Sequence, residues 1–318
     1  MDSKWLKVGI TALCTVATVI LAVCSAFYPA FAMILGLCMS VFASYLYIRC
    51  GAVCLAINAT ISCVAVLALA GGQLDALMLV AIGIVPGLVS GIMQKRKFNY
   101  YESLGGISLA FGATIMAVLY IATKGIQGGI GGLFEQTAEN MKSVAKQLLD
   151  ASGSTEIKAE DINVVIEEIM ILVKRTMPSM VIIFSMIFGY IHMALVKFFT
   201  RKIPDIRLNY VRFDSHKAPK HMSYIYFAIA IISMFSTAEG MFGVVVGNSL
   251  SVFDFILAFC GLSFIESKFK TKLKYGFVRV IIYVLALAVT SGIAAQILSI
   301  VGMLDSFMDY RGLKRIGE

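Results

Sequence analysis

The sequence predicts an all-α protein, a polytopic bundle of about nine transmembrane helices. Three observations predict this class. Of the 318 residues, 59% are hydrophobic and only 14% are charged, whereas soluble domains are about half apolar and about a quarter charged. The mean hydropathy is +0.87. Apolar runs of about twenty residues, the length that crosses a bilayer as a helix, recur along the whole chain.

Nine stretches are long and apolar enough to be spans, and eight spans are the alternative. The first stretch exceeds the apolar core of a usual signal peptide, and another follows it at once, so we expect a retained helix. Five stretches precede a long polar interval and four follow it. In order they are residues 5–27, 28–49, 52–71, 74–94, 104–123, 178–199, 223–247, 252–268 and 276–302.

The Lys and Arg residues predict the orientation. If the N-terminus is cytoplasmic, every short loop facing inward is basic, and the outward loops at 28, 72 and 248–251 carry no Lys or Arg. This is the positive-inside pattern, and it predicts a multi-pass protein of the bacterial cytoplasmic membrane. One feature does not fit this orientation, because nine spans would place the basic C-terminal tail outside. The inward basic groups are Lys4 and Lys7, Arg49, Lys95 to Lys97, the loop 200–222, and the stretch 268–279.

Three segments follow from this pattern: an N-terminal five-span half (1–123), an extracytoplasmic hairpin (124–177) and a C-terminal four-span half (178–318). The hairpin segment opens with the glycine-rich KGIQGGIGG and continues as two stretches with helical apolar periodicity. Asp150-Ala-Ser-Gly-Ser separates the two helices, and Pro178 suits the first turn of the next span. We expect the hairpin to pack on the bundle or to lie on the membrane.

The sequence contains no motif of a known catalytic or cofactor site. HExxH, GxSxG, a P-loop and GxGxxG followed by an acid are all absent, so we predict no enzymatic activity and no cofactor. The seven cysteines form no CxxC and no histidine cluster accompanies them, so we predict no metal site. The net charge of +8 is explained by topology and headgroup contact, which argues against a nucleic-acid partner.

Polar residues within apolar spans are the candidate ligand-binding residues. An ionisable side chain at membrane depth costs a few kcal/mol unless it is paired or hydrated. Glu239, in FSTAEGMFG, could bind a cation, a proton or a cationic group, or it could cap a broken helix near the interface. Asn58 and His192 are either interhelical hydrogen-bonding groups or part of such a site. Asp254 and Glu266 bracket the eighth span and are predicted to be interfacial.

Glycines in the fourth span and basic residues after the sixth complete the candidates. Gly83, Gly87 and Gly91 form one helix face, which would allow close packing or leave room for a ligand. The loop between Pro204 and Pro219 is the candidate surface for a protein partner or lipid headgroups. Its candidate residues are Arg207, Arg212, Asp214 and Lys217.

Two stretches carry a family resemblance. The segment from LVKRTMPSMVIIF through ALVKFFTRKIP to DIRLNYVRFDSHKAP, and the ending LSIVGMLDSFMDYRG, resemble the YybS-like family of uncharacterised bacterial membrane proteins. The ending looks like that family's Asp-x-x-x-Asp-aromatic-Arg pattern, here Asp305, Asp309, Tyr310 and Arg311. YPAFAMILG, LYIRCGAVCLAINA and GIVPGLVSGIMQKRKFNYYESLGG show a fainter likeness to energy-coupling-factor S subunits and MreD-like proteins.

Two functions are compatible with these features. The first is a small-molecule-binding or transport subunit like the S components, with its site in the outer half of the bundle. The alternative is a non-enzymatic scaffold whose basic inner loops recruit a cytosolic or cell-envelope partner. Both imply the lipid bilayer as the surroundings of the chain.

Overall fold

The computed structural model describes residues 3–28, 31–69, 76–152, 159–201, 210–236, 240–270 and 293–312. These ranges are largely helical and contain no β-strand. The helices, in chain order, are α1 Ser3–Phe27, α2 Ala32–Cys50, α3 Ala52–Leu69, α4 Ala76–Lys95, α5 Tyr100–Ala122, α6 Ile130–Ser152, α7 Ala159–Thr200, α8 Lys220–Phe235, α9 Met241–Phe269 and α10 Ile293–Met308. A 3₁₀ turn, Phe213–Ser215, lies between α7 and α8.

The predicted class, an all-α polytopic bundle, is confirmed. In the described part of the chain, six helices are long and apolar enough to cross a membrane, and three shorter apolar helices accompany them. The predicted ninth span, 276–302, lies largely outside the described residues, which resume at Ile293.

The chain forms two compact units. Unit 1 comprises Met1–Lys174 and Phe184–Tyr210, and unit 2 comprises Arg175–Ile183 and Val211–Glu318. Helix α7 contributes to both. The boundaries of these units differ from those of the three sequence segments, since the N-terminal spans and the hairpin belong to one unit.

Local sequence sets the start of α5 earlier than hydropathy predicts. The Asn99 side chain accepts a hydrogen bond from the Glu102 backbone N–H, while the Glu102 carboxylate accepts one from the Asn99 backbone N–H. This capping box satisfies two N–H groups that the first helical turn leaves free. The helix therefore begins at Tyr100, ahead of the apolar run that was predicted to start at residue 104.

The core of unit 1 is built around the contact between α2 and α4. Gly83 and Gly87 of α4 meet the α2 backbone directly, and Ser44 Oγ of α2 lies 3.0 Å from Ser90 Oγ of α4. Met39 and Val80, from the same two helices, belong to a buried apolar cluster with Ala22 and Val66. Small residues thus allow close approach, which is how helices pack in lipid without a hydrophobic driving force.

The predicted helical hairpin is present in unit 1 as α6 and the first part of α7. Gly128 and Gly129, in the glycine-rich link, have φ of +87° and +59°, which glycine adopts without strain. Lys142 of α6 forms an ion pair with Glu167 of α7. Apolar side chains such as Ala145 of α6 and Ile162 of α7 line the groove between the two helices.

The hairpin's second helix does not end at Pro178, which corrects the expectation that the proline opens a new helix. Helix α7 is continuous over 42 residues with Pro178 inside it. Proline normally breaks the hydrogen-bond ladder of a helix. Here the Asn248 amide of α9 fills the gap: its Oδ1 accepts from the Ser179 backbone N–H, and its Nδ2 donates to the Arg175 carbonyl, both at 2.8 Å.

Replacing Asn248 with Leu should therefore destabilise unit 2. The Ser179 N–H and Arg175 carbonyl would lose their partners, and we expect the free energy of unfolding to fall by about 1–3 kcal/mol. Adding Pro178→Ala should recover most of the loss, because alanine lets the helix close its own bonds. Unfolding in mixed detergent micelles measures both effects. Ser251→Ala is the matched control, since that hydroxyl bonds only within α9; equal losses in the two single variants would contradict the bridge.

Helices α8 and α9 divide the chain at a different place from the prediction. The stretch 248–251, expected to be an outward loop, lies inside α9. Ser251 donates to the Gly247 carbonyl four residues earlier, and Asn248 bonds Val244 as well as α7. These polar groups are satisfied without leaving the helix, which is why a turn-like composition does not break it.

The C-terminal helix of unit 2 crosses α9 at two glycines. A Cβ on Gly261 would lie 2.0 Å from the Leu298 carbonyl oxygen, and one on Gly302 would lie 2.1 Å from that of Leu257. The backbones therefore touch here. Leu257 and Cys260 are buried beside this crossing, with Met303 packed against them.

Candidate functional site

The basic loop, defined here as residues 211–219, is held by a buried guanidinium from beyond α10. Arg311 donates from all five of its N–H groups. Nη1 donates to the Asp214 carbonyl and to Ser263 Oγ, each at 3.0 Å. Nη2 donates at 2.6 Å to the His216 carbonyl. The remaining bonds, from Nε and Nη2, reach Asp305 Oδ2 at 3.0 and 2.6 Å.

The Arg311–Asp305 pair is almost completely buried, with the two side chains 4% and 2% exposed. Taking two charges out of water is costly, and only good geometry with further hydrogen bonds offsets that cost. The Asp214 and His216 carbonyls and Ser263 Oγ supply those bonds. We call this arrangement the arginine clamp: Arg311, Asp305, Ser263 and the two loop carbonyls.

Further ion pairs surround the clamp. Asp214 Oδ2 accepts hydrogen bonds from Arg212 and from Lys270, each at 2.9 Å. Lys217 pairs with Asp309. The loop is thus tied to the end of α9 and to the segment after α10 as well as to the clamp.

Aromatic rings form the floor under the loop. Phe213 and His216 each contact the Phe259 ring of α9 edge-on, with centroids 5.2 and 5.3 Å apart. Such edge-to-face contacts add stability beyond the apolar area they bury. Ser263, one turn further along α9, donates to the His216 carbonyl at 2.9 Å.

His216 is held neutral by its surroundings. Burial lowers the pKa of its imidazole, and the nearby Arg311 charge adds to this, while bonds to the Phe213 and Arg212 carbonyls and the Asp214 charge oppose it. Since carbonyls only accept, Nδ1 must carry the hydrogen that bonds Arg212 and Phe213.

Unit 2 should therefore lose stability in mild acid. Below the ordinary histidine pKa of 6.5, the unfolded chain binds a proton at residue 216 while the folded chain does not, so stability falls as pH falls. Unfolding midpoints between pH 8 and pH 5 should show this decline in the native chain and a smaller one in His216→Asn. His221→Asn, which changes an exposed histidine five residues away, is the control and should match the native profile.

The clamp also brings the start of the C-terminal tail to the loop. Arg311 contacts Asp214 and His216 directly, and Lys270, after α9, contacts Asp214 as well. The start of the tail and the basic loop therefore lie against each other in unit 2. The expected number of spans, nine or eight, stays a prediction, because residues 271–292 lie outside the described part of the chain.

Two predicted ligand residues lie buried within unit 1 and bond across helices. Asn58 Nδ2 of α3 lies 3.3 Å from the hydroxyls of Thr15 and Thr18 on α1. His192 Nδ1 of α7 lies 2.7 Å from Ser40 Oγ of α2. Their other polar atoms, Asn58 Oδ1 and His192 Nε2, have no hydrogen-bond partner among the described residues. Interhelical bonding accounts for both side chains, and a ligand role stays a prediction.

The glycine face of α4 is filled by α2. A Cβ on Gly83 would lie 2.4 Å from Met39 Cβ, and one on Gly87 would lie 2.5 Å from the Ser40 carbonyl oxygen. At Gly91 the neighbour is the Tyr47 ring, at 2.7 Å. This geometry favours the packing interpretation of the three glycines.

Glu239 and Arg207 lie outside the described residues, so their predicted roles stay predictions. The other loop candidates, Arg212, Asp214 and Lys217, meet around the clamp. Sequence reasoning did not single out Arg311 and Asp305 as site residues, although both stand in the Asp-x-x-x-Asp-aromatic-Arg ending. That short polar pattern, directly after an apolar run, was the available signal.

Potential metal ligands do not gather in the described part of the chain. No group of three or more His, Cys, Asp or Glu residues there could hold a metal ion. What the clamp residues do chemically is bind backbone carbonyls and neutralise one another.

The fold and the clamped loop together define a polytopic helical membrane protein. The chain belongs to the family described as "Predicted membrane protein (DUF2232)", whose sequence model matches residues 16–306. No curated protein matches the chain, and no solved structure does.

Proposed function

We propose that this protein is a non-enzymatic membrane scaffold that recruits a protein partner through the basic loop. The observation that carries the proposal is the arginine clamp, which fixes the backbone of the loop at Asp214 and His216. A loop that served only to orient the spans would need its charge and no fixed shape. A binding surface gains affinity from being held in one conformation before it meets its partner.

The clamped loop and the adjoining end of α9 present basic groups to solvent. The Arg212 side chain is 62% exposed and that of Lys270 is 41% exposed, both fixed in place by Asp214. We expect the partner to contribute an acidic surface, since charge complementarity directs encounter and orientation. From the positive-inside pattern we expect the loop to face the cytoplasm of a bacterial cell, with the N-terminus on the same side.

The transport hypothesis has less support from the geometry. Its glycine face is filled by α2, and its polar residues Asn58 and His192 bond to neighbouring helices. The chain's family is the DUF2232 family. The resemblances to the YybS-like family, to S subunits and to MreD-like proteins stay predictions. Ligand density in an experimental structure, or a rise in unfolding temperature on adding a ligand, would support the transport hypothesis instead.

Site-specific cross-linking from the loop tests the scaffold. A photoreactive residue at position 212 of the full chain, expressed in a bacterial membrane, should capture one protein reproducibly. A probe at the exposed Arg96, in another loop that we expect to face inward, is the control and should not capture it. Arg311→Gln should reduce the yield at position 212. Lipid adducts alone, or equal capture from both positions, would overturn the proposal.

A further inference from the structure

A carboxyl group lies about half-way along α9. This helix, Met241–Phe269, has 29 residues, and about 20 residues cross the hydrocarbon core. Every 20-residue window of α9 contains Asp254. Asp254 therefore falls inside whichever 20 residues of α9 cross the core, although its place in the sequence predicted a position at the interface.

Tyr226 of α8 is the hydrogen-bond donor to this carboxyl. Its hydroxyl lies 2.8 Å from Asp254 Oδ1, and Ser299 of α10 lies within hydrogen-bonding reach of the same phenol. The described ion pairs of unit 2 join Arg212, Lys217, Lys270 and Arg311 to other acids, and none of them includes Asp254.

The groups that the described residues of α8 and α10 place near Asp254 are neutral. Tyr226 faces it from α8, and Ser299 stands behind that phenol from α10. Helix α7 meets α9 at Asn248, more than a turn away, where Arg175 contributes its carbonyl. The Arg311–Asp305 pair lies at the level of Ser263, nine residues along α9, about 13 Å away at 1.5 Å per residue.

We propose that Asp254 and Tyr226 form a binding site for a small monovalent cation, H⁺ or Na⁺, within the membrane. An ionised carboxylate at this depth needs a compensating positive charge, and one neutral hydroxyl does not supply it. A proton or a sodium ion on the carboxyl neutralises it, and Tyr226 holds the occupied group in place. The site is separate from the basic loop, so its failure would leave the scaffold proposal standing.

Dicyclohexylcarbodiimide, an apolar reagent for protonated carboxyls in apolar surroundings, tests the site. The acid adds across one C=N bond of the reagent: its oxygen bonds the central carbon, its proton moves to nitrogen, and nothing leaves. With the full chain in lipid vesicles at neutral pH, mass spectrometry should find the adduct at Asp254 at least tenfold above Asp214, which is paired with Arg212 and Lys270. Absence of the adduct from a detected Asp254 peptide between pH 6 and pH 8 would overturn the proposal.

Two further measurements sharpen the result. Excess NaCl, compared with choline chloride, should suppress labelling if the cation is Na⁺ and leave it unchanged if it is H⁺. Tyr226→Phe should change the yield of labelling at Asp254, because the carboxyl loses its hydrogen-bond donor. Tyr224→Phe is the matched control, since this exposed ring contacts Phe307 instead. Equal yields for the two variants would remove Tyr226 from the site.

Discussion

Arg311→Gln should lower the free energy of unfolding by about 3–5 kcal/mol, the usual cost of removing one partner from a buried ion pair. The change leaves the Asp305 carboxylate buried without its cation and removes the Arg311 donor from the Asp214 and His216 carbonyls, of which His216 keeps the bond from Ser263. We expect the loop to detach from α9 before the rest of the chain unfolds. Denaturant titration in mixed micelles gives the energy, and protease cleavage within the loop reports the detachment.

Arg212→Gln is the matched control for this prediction. It removes the same charge from the same loop, but the Arg212 side chain is largely exposed and its pair with Asp214 should contribute no more than about 1 kcal/mol. The double variant Asp305→Asn/Arg311→Gln should be less unstable than the sum of the single variants, because neither charge is then left alone. Equal losses for Arg311→Gln and Arg212→Gln would show that the clamp contributes nothing special.

Gly87→Ala should destabilise unit 1 by about 1–3 kcal/mol, the cost of overpacking a tight interior. The new methyl group would lie 2.5 Å from the Ser40 carbonyl oxygen and 2.6 Å from Ala43 Cβ, so α2 and α4 must move apart. Gly87→Leu should prevent folding altogether. The same unfolding titration measures the first variant, and the yield of monodisperse protein measures the second.

Gly105→Ala is the control for the glycine face. A Cβ at Gly105, in α5, meets nothing within 4 Å, and alanine is the better helix former by about 0.5–1 kcal/mol. The two substitutions should therefore have opposite signs. A stabilising Gly87→Ala would mean that α2 and α4 are less closely packed than the structure indicates.

The helices of the first half could be predicted from hydropathy because each apolar run is bounded by charge, glycine or proline. Helices α1, α2 and α3 end within a few residues of the expected positions. Prediction failed where a tertiary contact overrides a local signal. Pro178 is a helix breaker, but Asn248, seventy positions later in the chain, bonds the Ser179 N–H and the Arg175 carbonyl beside it.

The prediction of the boundary between α8 and α9 failed for a related reason. Asn248 and its serine neighbours resemble a turn, but in lipid they bond within their own helix or to α7. The boundary lies at residues 236–240 and not at 248–251, so Asp254 lies near the middle of α9 and not at its start. The misplaced helix boundary is therefore the reason why Asp254 was predicted at the end of a span.

The clamp itself was beyond prediction from spacing. The Asp214 and His216 carbonyls carry no sequence signal, and their donor lies 97 and 95 positions away. The basic loop stood out by its charge and the polar ending by its Asp-x-x-x-Asp-aromatic-Arg pattern, as two separate stretches. Only the fold shows that the two stretches meet.

That separation along the chain has a consequence for biosynthesis. A ribosome adds about 5–20 residues per second, so Asp214 and His216 wait several seconds before Arg311 exists. During that interval the loop has its basic charge, which orients the neighbouring helices, but not its final shape. Insertion into the membrane can therefore be completed first and the partner surface assembled last. A chain cut short before residue 311 would insert correctly and still fail to present that surface.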